Sequence, residues 1–380
     1  MDASKLMAIV VVAVVAVAAV GGIAYYNNNK DSGSNEEVEL SIAYLNLGYY
    51  PFMVGFQKGM FDDLGFKVKP VLVEGSGNVS VEALTSGNAT MAATGDGPFS
   101  NAYGKYGDEI VGLCQYTQGS GSLAGHQWIV KNDRTYAALG DKAVSTIAVD
   151  ENKIVTNSAT VASEIKAIAA AGEGAKNGKF MISVNSGSTT HNNLMKWCLV
   201  NNLTYTTDAD ASADIFIHTI PSATADILAQ ALDTSDAVAC NSKLYNTISN
   251  FAALKDKVKK ISDSSAINEA SYSVLCTTKA NYEKYGEQML KVLEKLKEIY
   301  AWMDENLDEA AQIISQLNGE TVEQVKSSYN ASAHKIVWET DKLDAWVNTA
   351  KINGYTVTNE QFANSCPEKI RTTINGWYTS

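Results

Sequence analysis

Most signatures of catalysis are missing from this 380-residue chain. It has no HExxH, no GxSxG, no phosphate-cradling GxxxxGK[ST], and no GxGxxG following a strand. The glycines of "EGSGNVS" follow a strand but lack that spacing. Basic clusters are also absent. The formal net charge is −12, and no run of Lys or Arg breaks the acidic background. A nucleic-acid partner is thereby excluded, because such binders carry basic patches that neutralise phosphates. A small anionic ligand stays possible, since local dipoles outweigh a distant net charge. The five cysteines (Cys114, Cys198, Cys240, Cys276, Cys366) are scattered and never form a CxxC. That argues against zinc and thioredoxin chemistry and against a disulfide framework, leaving at most one pair. His126, His218 and His334 are isolated, without metal-ligand spacing, and read as structural. No metal and no cofactor are expected.

What is present begins with a long apolar run. "LMAIVVVAVVAVAAVGGIAYY", Leu6 to Tyr26, follows Lys5 and is about one membrane thickness long. It is either a signal peptide, with Ala16-Val17-Ala18 as a cleavage site, or an uncleaved transmembrane anchor. Both place the rest of the chain outside the cytoplasm. Asn-x-Ser/Thr triplets at Asn78, Asn88, Asn202 and Asn330 are compatible with that. The polar stretch 27–37 reads as a linker.

From residue 38 onward strand and helix patterns alternate, beginning with "VELSIAYL". Such alternation predicts an α/β fold with largely parallel sheets, in a chain long enough for two units. A second unit starts near "HQWIVK" and runs through "SYSVLCTT". The last third is helical: Met289, Leu293, Leu296, Tyr300 and Met303 recur at spacings of three and four.

In open parallel α/β sheets, ligands sit at the carboxyl ends of strands. Three loops there carry unusual chemistry. In "LNLGYYPF", Pro51 suits a helix first turn, and Tyr49 and Tyr50 can line a pocket with ring and hydroxyl. In "ATGDGPF", Thr94, Gly95 and the loop amides can face a ligand, while Asp96 can cap the helix near Pro98. In "VNSGSTTHNN", Gly187, Ser188, Thr189 and Thr190 open a helix with neutral donors and no fixed cation. Such a helix N-terminus is either a plain N-cap or an anion cradle. His191, in the first turn, either donates to an anion or covers the helix.

Four blocks in order carry a resemblance: "GYYPFMVGFQKGMFDDLGFKVKPVLVEGSG", "EALTSGNATMAATGDGPFSNAYGKYGDEIVGL", "SVNSGSTTHNNLMKWCLVNNLTY" and "YEKYGEQMLKVLEKLKEIYAWMDENLDEAAQIIS". From about residue 38 to about 375 the chain resembles the solute-binding receptors of ABC importers for aliphatic sulfonates and taurine. Relatives of these bind nitrate, bicarbonate and thiamine-precursor pyrimidines. The resemblance implies a two-lobed α/β periplasmic-binding-protein-like fold of type II, closing about a hinge. It implies lobe 1 at 38–127 plus 284–380, and lobe 2 at 128–283. It implies ABC permease and ATPase partners and an extracytoplasmic receptor, secreted or membrane-anchored, that is not an enzyme. It places Tyr49, Tyr50, Thr94, Gly95, Asp96, Gly187, Ser188, Thr189 and Thr190 near the cleft. Contacts are also implied after "SDAVA", where many relatives have an aromatic-acid-Pro stretch and this chain has Cys240, Asn241 and Ser242. An insertion around 143–177 is a second departure.

The leading expectation is capture of a small anion such as a sulfonate. A pyrimidine or flavin precursor stacked on Tyr49 and Tyr50 is the alternative; a small polar pocket floor near Cys240 and Asn241 would favour the anion. A sensor that kept the fold is a further alternative. An enzyme of the thiamine-pyrimidine-synthase type shares the fold, but the export signal and the lack of a cysteine or histidine cluster argue against it.

Overall fold

Hydrophobic runs such as Met91–Gly95 and Phe180–Asn185 become strands with buried apolar residues, and several strands hand over to a helix directly or through a short polar or glycine-bearing loop. The computed structural model describes residues 38–45, 48–119, 126–131, 158–221, 224–255, 257–267, 271–341 and 343–378. The apolar run 6–26, the linker 27–37 and the first part of the insertion, 143–157, lie outside the described residues. No helix among the described residues is long and apolar enough to cross a membrane.

The first lobe opens with β1 (Glu39–Leu45), α1 (Tyr50–Gln57), β2 (Lys67–Val73), α2 (Gly77–Thr85), β3 (Met91–Gly95), α3 (Asp96–Tyr106) and β4 (Ile110–Gly119). β1 runs parallel to both β2 and β3, with Ile42 opposite Pro70 on one side and Met91 on the other. β2 is an edge strand, which is why Pro70 and the flanking lysines Lys67 and Lys69 are tolerated in it.

The second lobe holds β5 (His126–Lys131), α4 (Ser158–Ala170), β6 (Phe180–Asn185), α5 (Thr189–Val200), β7 (Tyr205–Thr206), β8 (Ile215–Ile220), α6 (Ala225–Ala231), β9 (Ala237–Asn241), α7 (Ser242–Asn250) and β10 (Val258–Asp263). The chain then returns through β11 (Ser271–Thr278) to a tail of α8 (Lys279–Glu305), α9 (Leu307–Asn318), α10 (Val322–Asn330), β12 (Ser332–Ala333), α11 (Asp344–Ile352), α12 (Asn359–Asn364) and α13 (Glu368–Gly376).

Two six-stranded mixed sheets result, in the orders β12-β4-β11-β3-β1-β2 and β10-β5-β9-β6-β8-β7. Two expectations about the lobe boundaries differ from the structure. "SYSVLCTT" was placed in lobe 2, yet β11 pairs antiparallel with β3 and β4 in the first sheet. His126 and Gln127, assigned to lobe 1, pair with β9 in the second sheet. The reason is physical: β11 is buried on both sides, and its apolar run reads the same in either sheet.

Each lobe has its own core. In the first, Met289, Val292, Leu293, Leu296, Ile299, Tyr300 and Met303 of α8 are buried on one helix face, as the sequence spacing predicts. α9 ends at Gly319, whose φ of +76° supplies the left-handed C-cap. In the second, strand alternation splits the core: Trp128 and Val130 face one side of the sheet and Ile129 the other.

Side-chain hydrogen bonds among the described residues join the lobes. Thr189 Oγ1 donates to Asp96 Oδ1 at 3.3 Å, and Asn78 Nδ2 to the Ser186 carbonyl at 3.4 Å. Asn353 Nδ2 donates to Asn192 Oδ1 and Lys196 Nζ to the Ala345 carbonyl, both at 2.8 Å.

Candidate functional site

Between the lobes lies a cavity of about 240 Å³. It sits where the carboxyl ends of β1, β3, β6 and β9 meet, lined by Leu45, Gly95, Asn185 and Asn241 among others. Because each of these strands feeds a helix, helix N-termini converge on the space. Those of α1 (Tyr50, Pro51), α2 (Ser76, Gly77), α5 (Ser188, Thr189, Thr190) and α7 (Asn241, Ser242, Lys243) all contribute lining residues. Helix N-termini present unpaired N–H groups and partial positive charge.

Of the residues singled out from sequence, Tyr49, Tyr50, Gly95, Ser188, Thr189, Thr190 and Asn241 line this cavity. Thr94, Asp96 and Gly187 do not. Thr94 is fully buried and donates its hydroxyl to the Gly77 carbonyl at 2.9 Å. Asp96 is part of the scaffold: Oδ1 accepts from the Gly97 N–H at 2.8 Å and Oδ2 from the Tyr272 N–H at 3.1 Å. It begins α3 rather than capping it, as Gly95 is the N-cap. Gly187 has φ of +62°, and an added Cβ there would collide with Asn78 Nδ2.

The hydroxyls of the α5 entry serve the fold. Ser188 Oγ accepts from the His191 N–H at 3.1 Å, an N-cap, and donates to the Asn185 carbonyl at 2.8 Å. Thr189 reaches Asp96, and Thr190 Oγ1 pairs with His126 Nδ1 at 2.6 Å. The Thr189 and Thr190 N–H groups have no hydrogen-bond partner among the described residues. The donors left for a ligand here are backbone amides.

His191 accepts the Gly187 N–H at Nδ1, 3.0 Å away, and does not line the cavity. Burial lowers its pKa to about 4. The ring is therefore neutral near pH 7, with its proton on Nε2. Burial likewise lowers His126 to about 4. His126 and His334, read as structural from sequence, both line the cavity.

Sequence reasoning missed two charges. Lys243, one residue into α7, lines the cavity; burial lowers its pKa to about 8, opposed by the field of the Glu320 carboxylate. Glu320, just after α9, is 4% exposed. Its Oε2 accepts from Tyr50 Oη at 3.1 Å and Asn318 Nδ2 at 2.6 Å. Tyr272, Tyr300 and Tyr329 add to the wall. These residues come from segments far apart in sequence, and no local pattern marks them. The only available signal was Asn241-Ser242 as an N-cap, which places Lys243 at a helix start; Asn241 Oδ1 does accept the Leu244 N–H at 2.9 Å.

The floor at Ala239, Cys240, Asn241 and Ser242 is small. All five cysteines are buried and unpaired. Burial raises the Cys240 thiol above its usual range, so it presents a neutral, inert group. No group of three or more His, Cys, Asp or Glu among the described residues can hold a metal ion.

No protein-family model matches this sequence, and no curated protein sequence does either. Solved structures do. The periplasmic aliphatic sulphonate binding protein SsuA from Escherichia coli matches with a TM-score of 0.57 at 16% identity, over 83% of this chain and 91% of that one. The periplasmic nitrate-binding protein NrtA from Synechocystis PCC 6803 gives 0.62 at 12% identity, over 90% of both chains. A Candida albicans gene product, described as defining a new family with the generic periplasmic binding protein fold, gives 0.61 at 13%, over 86% and 94%. The chain thus has the two-lobed α/β fold of periplasmic binding proteins.

Proposed function

We propose that this protein is the extracytoplasmic solute-binding component of an ABC importer, capturing a small anion between its lobes and delivering it to a permease. One observation carries the reading: an interlobe cavity lined by four helix N-termini and one lysine side chain. Each N-terminus favours an anion by roughly 0.3–1 kcal/mol when exposed and more when partly buried. Their convergence in a partly enclosed cleft, where the effective dielectric is below that of water, strengthens the effect. An anion that is always ionised, such as a sulfonate of the taurine type, suits amide donors that exchange no proton. The anionic portion is placed at the Thr189 and Thr190 amides, Asn241 and Lys243, with Tyr49, Tyr50, Gly95 and Ser188 shaping the walls. The sulphonate- and nitrate-binding neighbours support the same reading. Membrane attachment through residues 6–26 would keep the receptor beside its permease.

The tyrosine-lined walls support a second reading, a small ring compound such as a pyrimidine. The volume of about 240 Å³ and the small floor favour the compact solute, since pockets for drug-sized ligands span roughly 300–1,000 Å³.

The test is thermal unfolding of the purified protein with alkanesulfonates, sulfate, nitrate, pyrimidines and riboflavin. A ligand at a hundred times its Kd adds roughly 2.7 kcal/mol. That is a rise of several degrees, at about 2–4 °C per kcal/mol. A rise confined to anions supports the proposal. A rise confined to ring compounds replaces it with the second reading.

A further inference from the structure

The cavity also contains a polar group that a simple anion cannot satisfy. Glu320 is nine-tenths buried and lines the cavity, and its Oε1 has no hydrogen-bond partner among the described residues. A buried carboxylate oxygen without a donor is costly, and a native structure rarely leaves one so unless something else fills the place. The neighbouring tyrosines do not fill it. Tyr50 donates its hydroxyl to Oε2, Tyr329 donates to Asp304 at 2.7 Å, and Tyr300 pairs with Thr117 at 2.8 Å. With their hydroxyls committed, these residues offer the cavity mainly ring surface, which suits a cation. Two other lining residues have buried, unpartnered acceptor-capable atoms, Asn185 Oδ1 and His334 Nδ1.

Charge complementarity points the same way. Among the Asp, Glu, Lys and Arg side chains that line the cavity there is one of each sign, Lys243 and Glu320. They come from opposite lobes, α7 in the second and the α9–α10 connection in the first. A nitrate or sulfate ion would answer the lysine and the helix N-termini and leave the carboxylate facing another anion. A molecule carrying both signs answers both.

Resting on the anion-capture reading and narrowing it, we propose that the solute is a compact zwitterion whose ammonium group sits against Glu320 Oε1, while its anionic group faces the α5 and α7 N-termini and Lys243. Glu320 is then the residue that selects amino-bearing solutes over plain anions. Closure brings the two half-sites together, so that a solute with both charges engages the carboxylate of one lobe and the lysine of the other.

The experiment is calorimetric titration of the full chain with matched pairs: taurine against ethanesulfonate, β-alanine against propionate, with choline as a cation lacking an anionic group. The same titrations are run on Glu320→Gln, which keeps the shape and the hydrogen bond from Tyr50. An amino-bearing member is expected to bind about 10- to 100-fold more tightly than its partner, the range for a hydrogen bond to a charged group. Glu320→Gln should abolish that preference, weakening the amino-bearing member while holding or raising the affinity of its amine-free partner, which no longer faces a carboxylate. Amine-free anions binding as tightly as their amino counterparts would overturn the zwitterion and leave anion capture standing. Equal weakening of both members in Glu320→Gln would assign Glu320 to lobe closure and overturn it too. Choline binding without any anion would refute anion capture, and no heat with any ligand would refute both readings.

Discussion

Lys243 shows how a charge missing from the local sequence reading changes what the site can do. The loop at 184–193 holds no cation, and the expectation was a cradle of neutral donors. Those donors turn out to be backbone amides, since the Ser188, Thr189 and Thr190 hydroxyls are occupied within the protein. The cation arrives from α7, some fifty positions further along. With its pKa lowered to about 8 by burial, Lys243 is protonated at pH 7 and loses its charge as pH rises through that value. Anion affinity should therefore be flat below pH 8 and decline above it. The ligand-free protein should show the opposite sign. The unfolded lysine titrates near 10.4, so between about 8 and 10.4 the unfolded state binds more protons, and the stability contribution of this group rises with pH. Lys243→Met, of similar size, should weaken anion binding about tenfold or more and erase its decline above pH 8. Because burying the ammonium opposes folding, the ligand-free melting temperature should hold or increase. Titrations and melts at pH 6 to 10 measure both; a retained alkaline decline in the variant would assign the titration to another group.

At the scale of elements, what was legible was local. β5 and β11 follow the bounds read from their apolar runs, and the strand-to-helix loops holding Tyr49, Tyr50, Gly95 and Thr189 do meet in one cavity. A helix start is written in a few adjacent residues, and the rule that ligands gather at strand carboxyl ends does the rest. What was not legible depends on pairing partners. β11 reads as one more strand of the second unit, but its place between β3 and β4 is set by contacts with residues more than 150 positions earlier. Glu320 is one acid among many in the helical tail until Tyr50 packs on it. The glycines of the α3 entry have a use that no loop pattern shows. A Cβ on Gly97 would meet Asn192 Nδ2 at 2.6 Å and Thr189 Cα at 2.9 Å, both across the interface. Alanine favours the helix of its own lobe but obstructs the approach of the other. Gly97→Ala should weaken ligand binding about tenfold, since such overpacking costs roughly 1–3 kcal/mol, and leave the ligand-free melting temperature nearly unchanged because opening relieves the clash. Loss of melting temperature along with affinity would place the clash inside one lobe instead.

For the whole molecule, the proposed receptor role makes binding and closure one equilibrium, because the cavity walls come from both lobes. A contact that forms only between the lobes should then affect affinity without touching the solute. The Asn353–Asn192 hydrogen bond is suited to this test. It joins the end of α11 to α5 at 2.8 Å, and neither residue lines the cavity. Asn192 is 1% exposed in this arrangement, and its Nδ2 has no partner among the described residues. With the lobes apart, water would satisfy the whole amide; with them together, only Asn353 compensates for its burial. Asn353→Ala would leave the Asn192 side chain without any partner when closed, and so penalise the closed state selectively. A net hydrogen bond is worth roughly 0.5–1.5 kcal/mol, so affinity should fall about 2- to 10-fold. The fall should appear mainly as faster release, the rate in which interface changes usually show. Stopped-flow release against equilibrium titration separates the cases. An unchanged release rate and affinity would mean that the α5–α11 contact persists in both arrangements, and that closure pivots about it rather than forming it.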